Sequence, residues 1–359
     1  MKKILLVISL LLTTYFTFSQ NSMAGIEVGS KGVKMIIVDK SKSFSVVKDT
    51  TINTDFISFT QSTYEYTLSA LNKLYNIALV DYNIPPNYIF TAVSSGVNIQ
   101  AEKENKINWI NQLVNAFKFN FNEPDRKVTV INVTEEARLS HLGIVPESRR
   151  YNTFLIDIGS GNTKGGYFPN GNTNDFKLFQ LTWGTKSTSN ATMKLINGDS
   201  SIENFNKQLN RVLDRAEKSE IIYTINESGS YPLTDNVAFS GGISWSIATI
   251  MHPELIDNSV ISVSYEDVVN FNEKLLNNYN GLSNYYIIKS LNMPLDREAI
   301  DKELKKVNLV FDQKALLSGT GLLLKIMRQF VSVYDRKNFY LVKNGAVGWI
   351  SAYVDQANK

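Results

Sequence analysis

The stretch FLIDIGSGNTKGGYF, residues 154–168, runs from an apolar segment to an acid, Asp157, and then breaks into Gly159, Ser160, Gly161, Asn162 and Thr163. A strand that ends in small residues turns tightly and exposes backbone N–H groups, which bind phosphate oxygens without side-chain charge. An acid just before such a turn repels phosphate, yet it can hold a hydrated Mg²⁺ that bridges to it. Gly159, Gly161 and Gly165 partly imitate a dinucleotide-binding loop, but that motif has to open a helix. Here KGGYFPNGN follows, rich in glycine and turn residues, and it reads as the second strand of a hairpin. The chain contains no P-loop.

The pattern occurs twice. Ile26-Glu27-Val28-Gly29-Ser30, with Lys34 further on, lies over Ile156-Asp157-Ile158-Gly159-Ser160, with Lys164 further on. Acid, glycine, serine and lysine fall at equal offsets, and each copy opens a meander of three strands. Helical blocks follow each meander. One is TQSTYEYTLSALNKLYNIALV, with apolar positions at three- and four-residue spacing, and another is ENKINWINQLVNAFKF. VTEEARLSHLGI begins a further helix, with Thr134 as the expected N-cap. From residue 185 to about 330 the chain reads as helical, except for NVAFSGGIS, a strand running into a glycine turn. NFYLVKNGAVGWISAYV reads as strand, glycine turn and helix. The fold class is therefore α/β, with two related domains flanking a cleft.

Composition narrows the function. The 359 residues are 43% hydrophobic, enough for two cores, and the net charge of +3 provides no basic stripe for nucleic acid. There are no cysteines, which excludes disulfides, thiolate zinc sites and a cysteine nucleophile. His141 and His252 are the only histidines, so a histidine-based zinc site is not expected. No GxSxG elbow is present, and Tyr64, Tyr75, Trp109 and Phe117 sit at helical core positions. Residues 1–19, MKKILLVISLLLTTYFTFS, read as a signal peptide with a basic start and an apolar middle. Export to the periplasm or medium is expected, with no stable membrane span after cleavage.

Three segments in order, GIEVGSKGVKMIIVD, FLIDIGSGNTKGGYF and VAFSGGISW, resemble the actin/sugar kinase/Hsp70 nucleotide-binding fold. Within it the chain is similar to the exopolyphosphatase/guanosine pentaphosphate phosphohydrolase (Ppx/GppA) family. VTEEARLSHLGI resembles that family's EEARL helix, FQLTWGTKS its following segment, and SGGISWSIA its third turn. KALLSGTGLLLKIM is similar to its late helix. The resemblance implies two ribonuclease H-like (actin-like ATPase) domains flanking a cleft. They would be residues 23–134 and 135–337, with 338–359 returning to the first. It implies an exopolyphosphatase-type phosphoanhydride hydrolase that releases terminal phosphate from inorganic polyphosphate or guanosine pentaphosphate. Glu136 would be catalytic, orienting or deprotonating the attacking water. Asp157 and Glu27 would hold Mg²⁺. Ser30, Lys31, Gly159, Ser160, Gly161, Asn162, Thr163 and Lys164 would bind phosphate, together with Gly241 and Gly242 of the third loop.

The chain departs from the family pattern at several points. Glu27 replaces the usual Asp of the first loop, Lys31-Gly32 replaces Asn-Ser/Thr, Ser94 stands where the family carries a phosphate-clamping Arg, and Lys164 replaces a Glu. One consequence is a site that draws positive charge from Lys31 and Lys164 and depends less on metal. The other is a cleft that binds polyphosphate or nucleotide without turnover. An actin-like assembly protein is a third reading that no residue favours, and a homodimer is left open.

Overall fold

The computed structural model describes residues 22–30, 32–42, 45–291, 296–331, 336–343, 345 and 348–358. The expected signal peptide, residues 1–19, and the phosphate-binding candidate Lys31 lie outside the described residues.

In the first unit, β1 (Ser22–Val28), β2 (Gly32–Asp39) and β3 (Ser45–Asn53) form an antiparallel meander. Helix α1 (Gln61–Asn76) follows, capped by Thr60, whose hydroxyl accepts from the Thr63 amide. It buries Thr67, Ala70, Leu71, Leu74 and Tyr75, one stripe at helical spacing. Strand β4 (Ile89–Val93) then pairs parallel with β1. Helices α2 (Ser95–Lys103) and α3 (Ile107–Asn120) lead to the edge strand β5 (Val128–Val130). The sheet order is β3-β2-β1-β4-β5. Ile26, Val28 and Met35 pack against Leu71, Leu74, Leu113 and Phe117 in the core. Tyr75 and Phe117 are fully buried, and Tyr64 meets Trp109 edge to face at 5.8 Å. These rings fill the core, as the sequence indicates.

Helix α4 (Val133–Ile144) starts one residue before its expected cap. Asn132, not Thr134, caps it: the Asn132 Oδ1 accepts from the Glu135 amide at 2.8 Å. Thr134 lies inside the first turn. An Asn in front of the turn captures the orphan amide before a Thr further along can.

The second unit repeats the plan. Strands β6 (Thr153–Ile158), β7 (Thr163–Tyr167) and β8 (Lys177–Leu181) form the meander. Helices α5 (Thr185–Met193), α6 (Ile202–Ala216) and α7 (Ile222–Ser228) precede β9 (Asn236–Ser240), which pairs parallel with β6. Then come α8 (Gly242–Met251), β10 (Val260–Val263), α9 (Tyr265–Asn277), α10 (Asn284–Ser290), α11 (Arg297–Val310) and α12 (Gln313–Val331). Strand β11 (Asn338–Val342) lies between β10 and β9, giving the order β10-β11-β9-β6-β7-β8. Apart from β10, this is the first sheet's order again: third, second, first, fourth, fifth. Phe154, Ile156 and Ile158 face Phe205, Leu209, Leu323 and Met327, while Leu155 points to the opposite face with Val145 and Ala238. Burial on both faces explains why β6 reads as a continuous apolar run.

The last helix, α13 (Gly348–Ala357), returns to the first unit. Ile350 and Val354 approach β1 so closely that a methyl on Gly25 would lie 2.8 Å and 2.7 Å from their side chains. Glycine is therefore required there by packing. The first unit runs to Leu139 and resumes at Trp349; the second spans Ser140–Gly348. The sequence sends 338–359 back as one piece, but β11 belongs to the second sheet through its parallel pairing with β9.

Candidate active site

In the first unit, the end of β1, the start of α2 and the start of α4 meet. Glu136 is 4% exposed, and its Oε2 accepts the Ser95 amide proton at 2.6 Å. Ser95 is the first residue of α2, so the carboxylate sits where the helix dipole and an orphan amide favour negative charge. Glu135 points elsewhere and pairs with Arg138, as one helical step of about 100° requires. Ser30 lies beside the same turn: a methyl on Gly96 would be 3.2 Å from its Oγ. Ser94 precedes α2 and is 5% exposed. Its amide donates to the Val28 carbonyl at 3.0 Å, which ties the end of β4 to the end of β1.

In the second unit, the turn after β6 is closed by the Gly159 amide donating to the Asn162 carbonyl at 3.0 Å. The first hairpin closes identically, from Gly29 to Gly32 at 2.9 Å. The loop is held from outside by the first turn of α5. The amides of Thr185, Lys186 and Ser187 donate to the carbonyls of Gly159 and Ser160 at 2.8 to 3.1 Å. Ser160 and Gly161 stay exposed at the tip, and a methyl on Gly161 would meet nothing within 4 Å. These two residues and Asn162 are the accessible part of the loop.

Thr163 departs from its expected role. Its side chain is fully buried and its hydroxyl donates to the Trp183 carbonyl at 2.7 Å, so this side chain braces the loop from inside and does not offer a phosphate donor. Lys164 is 9% exposed on β7, opposite Asp157 in register.

The third loop joins the second. Ser240 donates its hydroxyl to Asp157 Oδ1 at 2.8 Å. Gly241 adopts φ +97°, and a methyl there would overlap the Ile158 carbonyl oxygen. Gly242 then opens α8, exposed at a helix N-terminus suited to anions. The second unit thus gathers Asp157, Ser160, Gly161, Asn162 and the Ser240–Gly242 turn through one parallel strand pair, β6 with β9.

The sequence missed Ser95, Ser240 and the pairing of each acid with a lysine. Only the last was readable in advance. Placing two-residue turns at 30–31 and 160–161 makes Glu27 face Lys34 and Asp157 face Lys164 across their hairpins. Glu27, 8% exposed, has Lys34 Nζ 3.6 Å from its Oε2.

This donor set fits Mg²⁺ poorly. Mg²⁺ needs nearly octahedral oxygen ligands at about 2.0–2.1 Å. Here the Glu27 carboxylate is already neutralised by an ammonium, and Asp157 accepts from Ser240 and lies opposite a lysine. Among the described residues, no three His, Asp or Glu side chains converge. His141 and His252 take no part: His141 is buried against Phe168 and Phe176, and His252 pairs with Glu254.

No protein-family model matches the chain, and a search of curated proteins finds no match. Solved structures do match. A Ppx/GppA family member from Aquifex aeolicus is similar with a TM-score of 0.61 at 15% identity, over 93% of this chain and 98% of that one. An exopolyphosphatase from Cytophaga hutchinsonii is similar with a TM-score of 0.54 at 14% identity, over 93% and 98%. An exopolyphosphatase-like protein follows with a TM-score of 0.57 at 15% identity, over 91% and 97%. The chain has the fold of the Ppx/GppA phosphatases, the actin-like ATPase fold, along nearly its whole length.

Proposed function

We propose that the protein is a phosphoanhydride hydrolase acting on the end of a polyphosphate chain. The observation that carries this reading is the buried Glu136 carboxylate, fixed by the Ser95 amide at the N-terminus of α2 and next to the Ser30 turn. A carboxylate anchored through one oxygen has a set direction, which a water-orienting base requires. In the proposed step, a water oxygen attacks the terminal phosphorus while its proton passes to Glu136. The P–O bond to the bridging oxygen breaks, and orthophosphate leaves a chain one unit shorter. The exposed Ser160–Asn162 turn and the N-terminus of α8 are phosphate-binding elements of the second unit.

Export through residues 1–19 is part of this reading and favours inorganic polyphosphate over guanosine pentaphosphate. Mass spectrometry of the secreted protein tests it, with a mature N-terminus at Gln20 as the expected result. The fold neighbours support the reaction class, since two of them are named exopolyphosphatase or exopolyphosphatase-like.

The deciding experiment is orthophosphate release from polyphosphate by the wild type and by Glu136→Ala. Release by the wild type, lowered a hundredfold or more in the variant, supports hydrolysis. Equal rates, or none in either protein, overturn it in favour of a non-catalytic phosphate binder of the same fold.

A further inference from the structure

We infer that the hairpin lysines Lys34 and Lys164, and not a divalent metal, supply the positive charge that holds phosphate in this protein. The inference rests on the reading that the protein binds a phosphoanhydride chain.

Both units carry the same device. The acid one residue before the end of the first strand has a lysine as its direct cross-strand partner, Glu27 with Lys34 and Asp157 with Lys164. Direct partners in an antiparallel pair project from the same face, with Cβ atoms about 4.5–5.5 Å apart. The acid differs between the copies, Glu in one and Asp in the other, while the lysine and the register are the same. A metal site depends on ligand length, so a methylene more or less would move the ion. A carboxylate that only anchors an ammonium tolerates that change.

In the first unit the contact is explicit: Lys34 Nζ lies 3.6 Å from Glu27 Oε2, and both side chains are mostly buried, 20% and 11% exposed. An ammonium at that distance weakens the carboxylate's attraction for Mg²⁺ and repels a second cation, while its own remaining N–H donors stay directed away from the carboxylate. In the second unit Lys164 is 9% exposed, one turn away from the exposed Ser160 and Gly161. Buried lysines are held by carboxylates or carbonyls because an isolated charge is costly to desolvate. Glu27 then acts as a positioning residue for Lys34, the reverse of the role its place in the loop suggests, and the register sets Asp157 beside Lys164 in the same relation. A lysine is a compact point charge suited to phosphate, where the geometry of the oxygen fork matters less than for Arg. The ligand class is a metal-free polyanion of phosphoanhydride units.

The test is equilibrium binding of end-labelled inorganic polyphosphate to the full chain, followed by fluorescence polarisation, in excess EDTA and in MgCl₂. The expected result is a Kd within about threefold in the two buffers. Lys34→Gln weakens binding in EDTA about tenfold or more, and Lys34→Arg restores it. Lys164→Arg, which keeps the charge in a buried position, is compared with Lys164→Met, with circular dichroism reporting that each is folded. If Lys164→Met unfolds, the Lys34 pair alone decides. Binding seen only with Mg²⁺, and lost in Glu27→Gln, overturns metal independence and leaves the hydrolase reading standing. Wild-type affinity of Lys34→Gln in EDTA overturns the assignment to lysine. Absence of binding in both buffers overturns this inference and the proposed function together.

Discussion

Ser95 and Glu136, 41 residues apart in sequence, are joined by a hydrogen bond of 2.6 Å from amide to buried carboxylate. The bond ties the first turn of α2 to the first turn of α4, and both termini are stabilised by it. Glu136 places a negative charge at the N-terminus of α2, and its own amide is held by the Asn132 carbonyl at 3.0 Å.

Two substitutions at Glu136 therefore separate chemistry from structure. Glu136→Gln keeps an oxygen that accepts from Ser95 but cannot take a proton. Glu136→Leu leaves the buried amide without an acceptor, at a cost of about 1–3 kcal/mol. In urea denaturation, Gln is expected to lie within about 1 kcal/mol of wild type and Leu clearly below it. Phosphate release is expected to fall in both. If the two variants unfold at the same urea concentration, the Ser95 bond does not stabilise the fold.

The Ser240–Gly242 turn offers a second test. Gly241 has φ +97°, and a methyl there meets the Ile158 carbonyl, so Gly241→Ala combines backbone strain with overlap. With ψ 173°, this backbone is in an extended region essentially confined to glycine, and a side chain there alone costs roughly 1–3 kcal/mol. The total is expected above about 2 kcal/mol, read from the urea midpoint with an unchanged m-value. Ser240→Ala removes only the 2.8 Å bond to Asp157 and is expected to cost about 1.5–3 kcal/mol, as for a bond to a charged group. A Gly241→Ala protein as stable as wild type would contradict the close approach of this turn to β6.

Most of the fold was readable because its signals are local. Strand meanders announce themselves by apolar runs broken at Gly29–Gly32 and Gly159–Asn162, and α1 by its Thr67, Ala70, Leu71, Leu74 stripe. Strand β10 was not readable. Its four residues, VISV, sit between helical segments at the sheet edge, where pairing with β11 decides the conformation. The switch of the chain back to the first unit at Trp349 is set by Ile350 and Val354 finding Gly25, a contact more than three hundred residues apart in sequence. In the site, the acids and glycines were legible by type and spacing. Ser95 and Ser240 were not, since each acts through a neighbour brought by a parallel strand pairing, β1 with β4 and β6 with β9.

Glu217 tests the packing of the second unit away from any site. It is 4% exposed and accepts from Lys325 Nζ at 3.0 Å, Arg328 Nε at 2.9 Å and Gln329 Nε2 at 2.8 Å, so α12 is fastened to the end of α6. Removing one member of a buried ionic group leaves its partners poorly compensated, although Lys325 keeps Asp214 at 2.6 Å. Arg328 is half exposed and can turn to water, which moderates the loss. Glu217→Ala is expected to cost about 3 kcal/mol, and Glu217→Gln less, because it retains one acceptor. Thermal unfolding of both variants checks the order, and a Gln variant less stable than Ala would refute it.

His141 makes stability depend on pH in a defined direction. Its ring is fully buried, edge-on to Phe168 at 4.8 Å, and Nε2 donates to the Thr153 carbonyl at 3.0 Å. Burial in this apolar setting, assisted by the charge of Arg150, pushes its pKa down from 6.5 to about 4, although the bond to Thr153 opposes the shift. The unfolded chain takes up the proton first as pH falls through 6.5, and the folded chain only near 4. Unfolding is therefore favoured by acid in that window: the full stability is present above about pH 6.5, drains away towards pH 4, and levels off once the folded ring is protonated too. The shift corresponds to roughly 3 kcal/mol across the window. His141→Gln can still donate to Thr153 but does not titrate. Urea denaturation of both proteins at pH 7.5, 5.5 and 4 is expected to show the wild type losing ground to the variant by about 2–3 kcal/mol as pH falls. Parallel curves for the two proteins would mean that the folded imidazole titrates as it does in the unfolded chain.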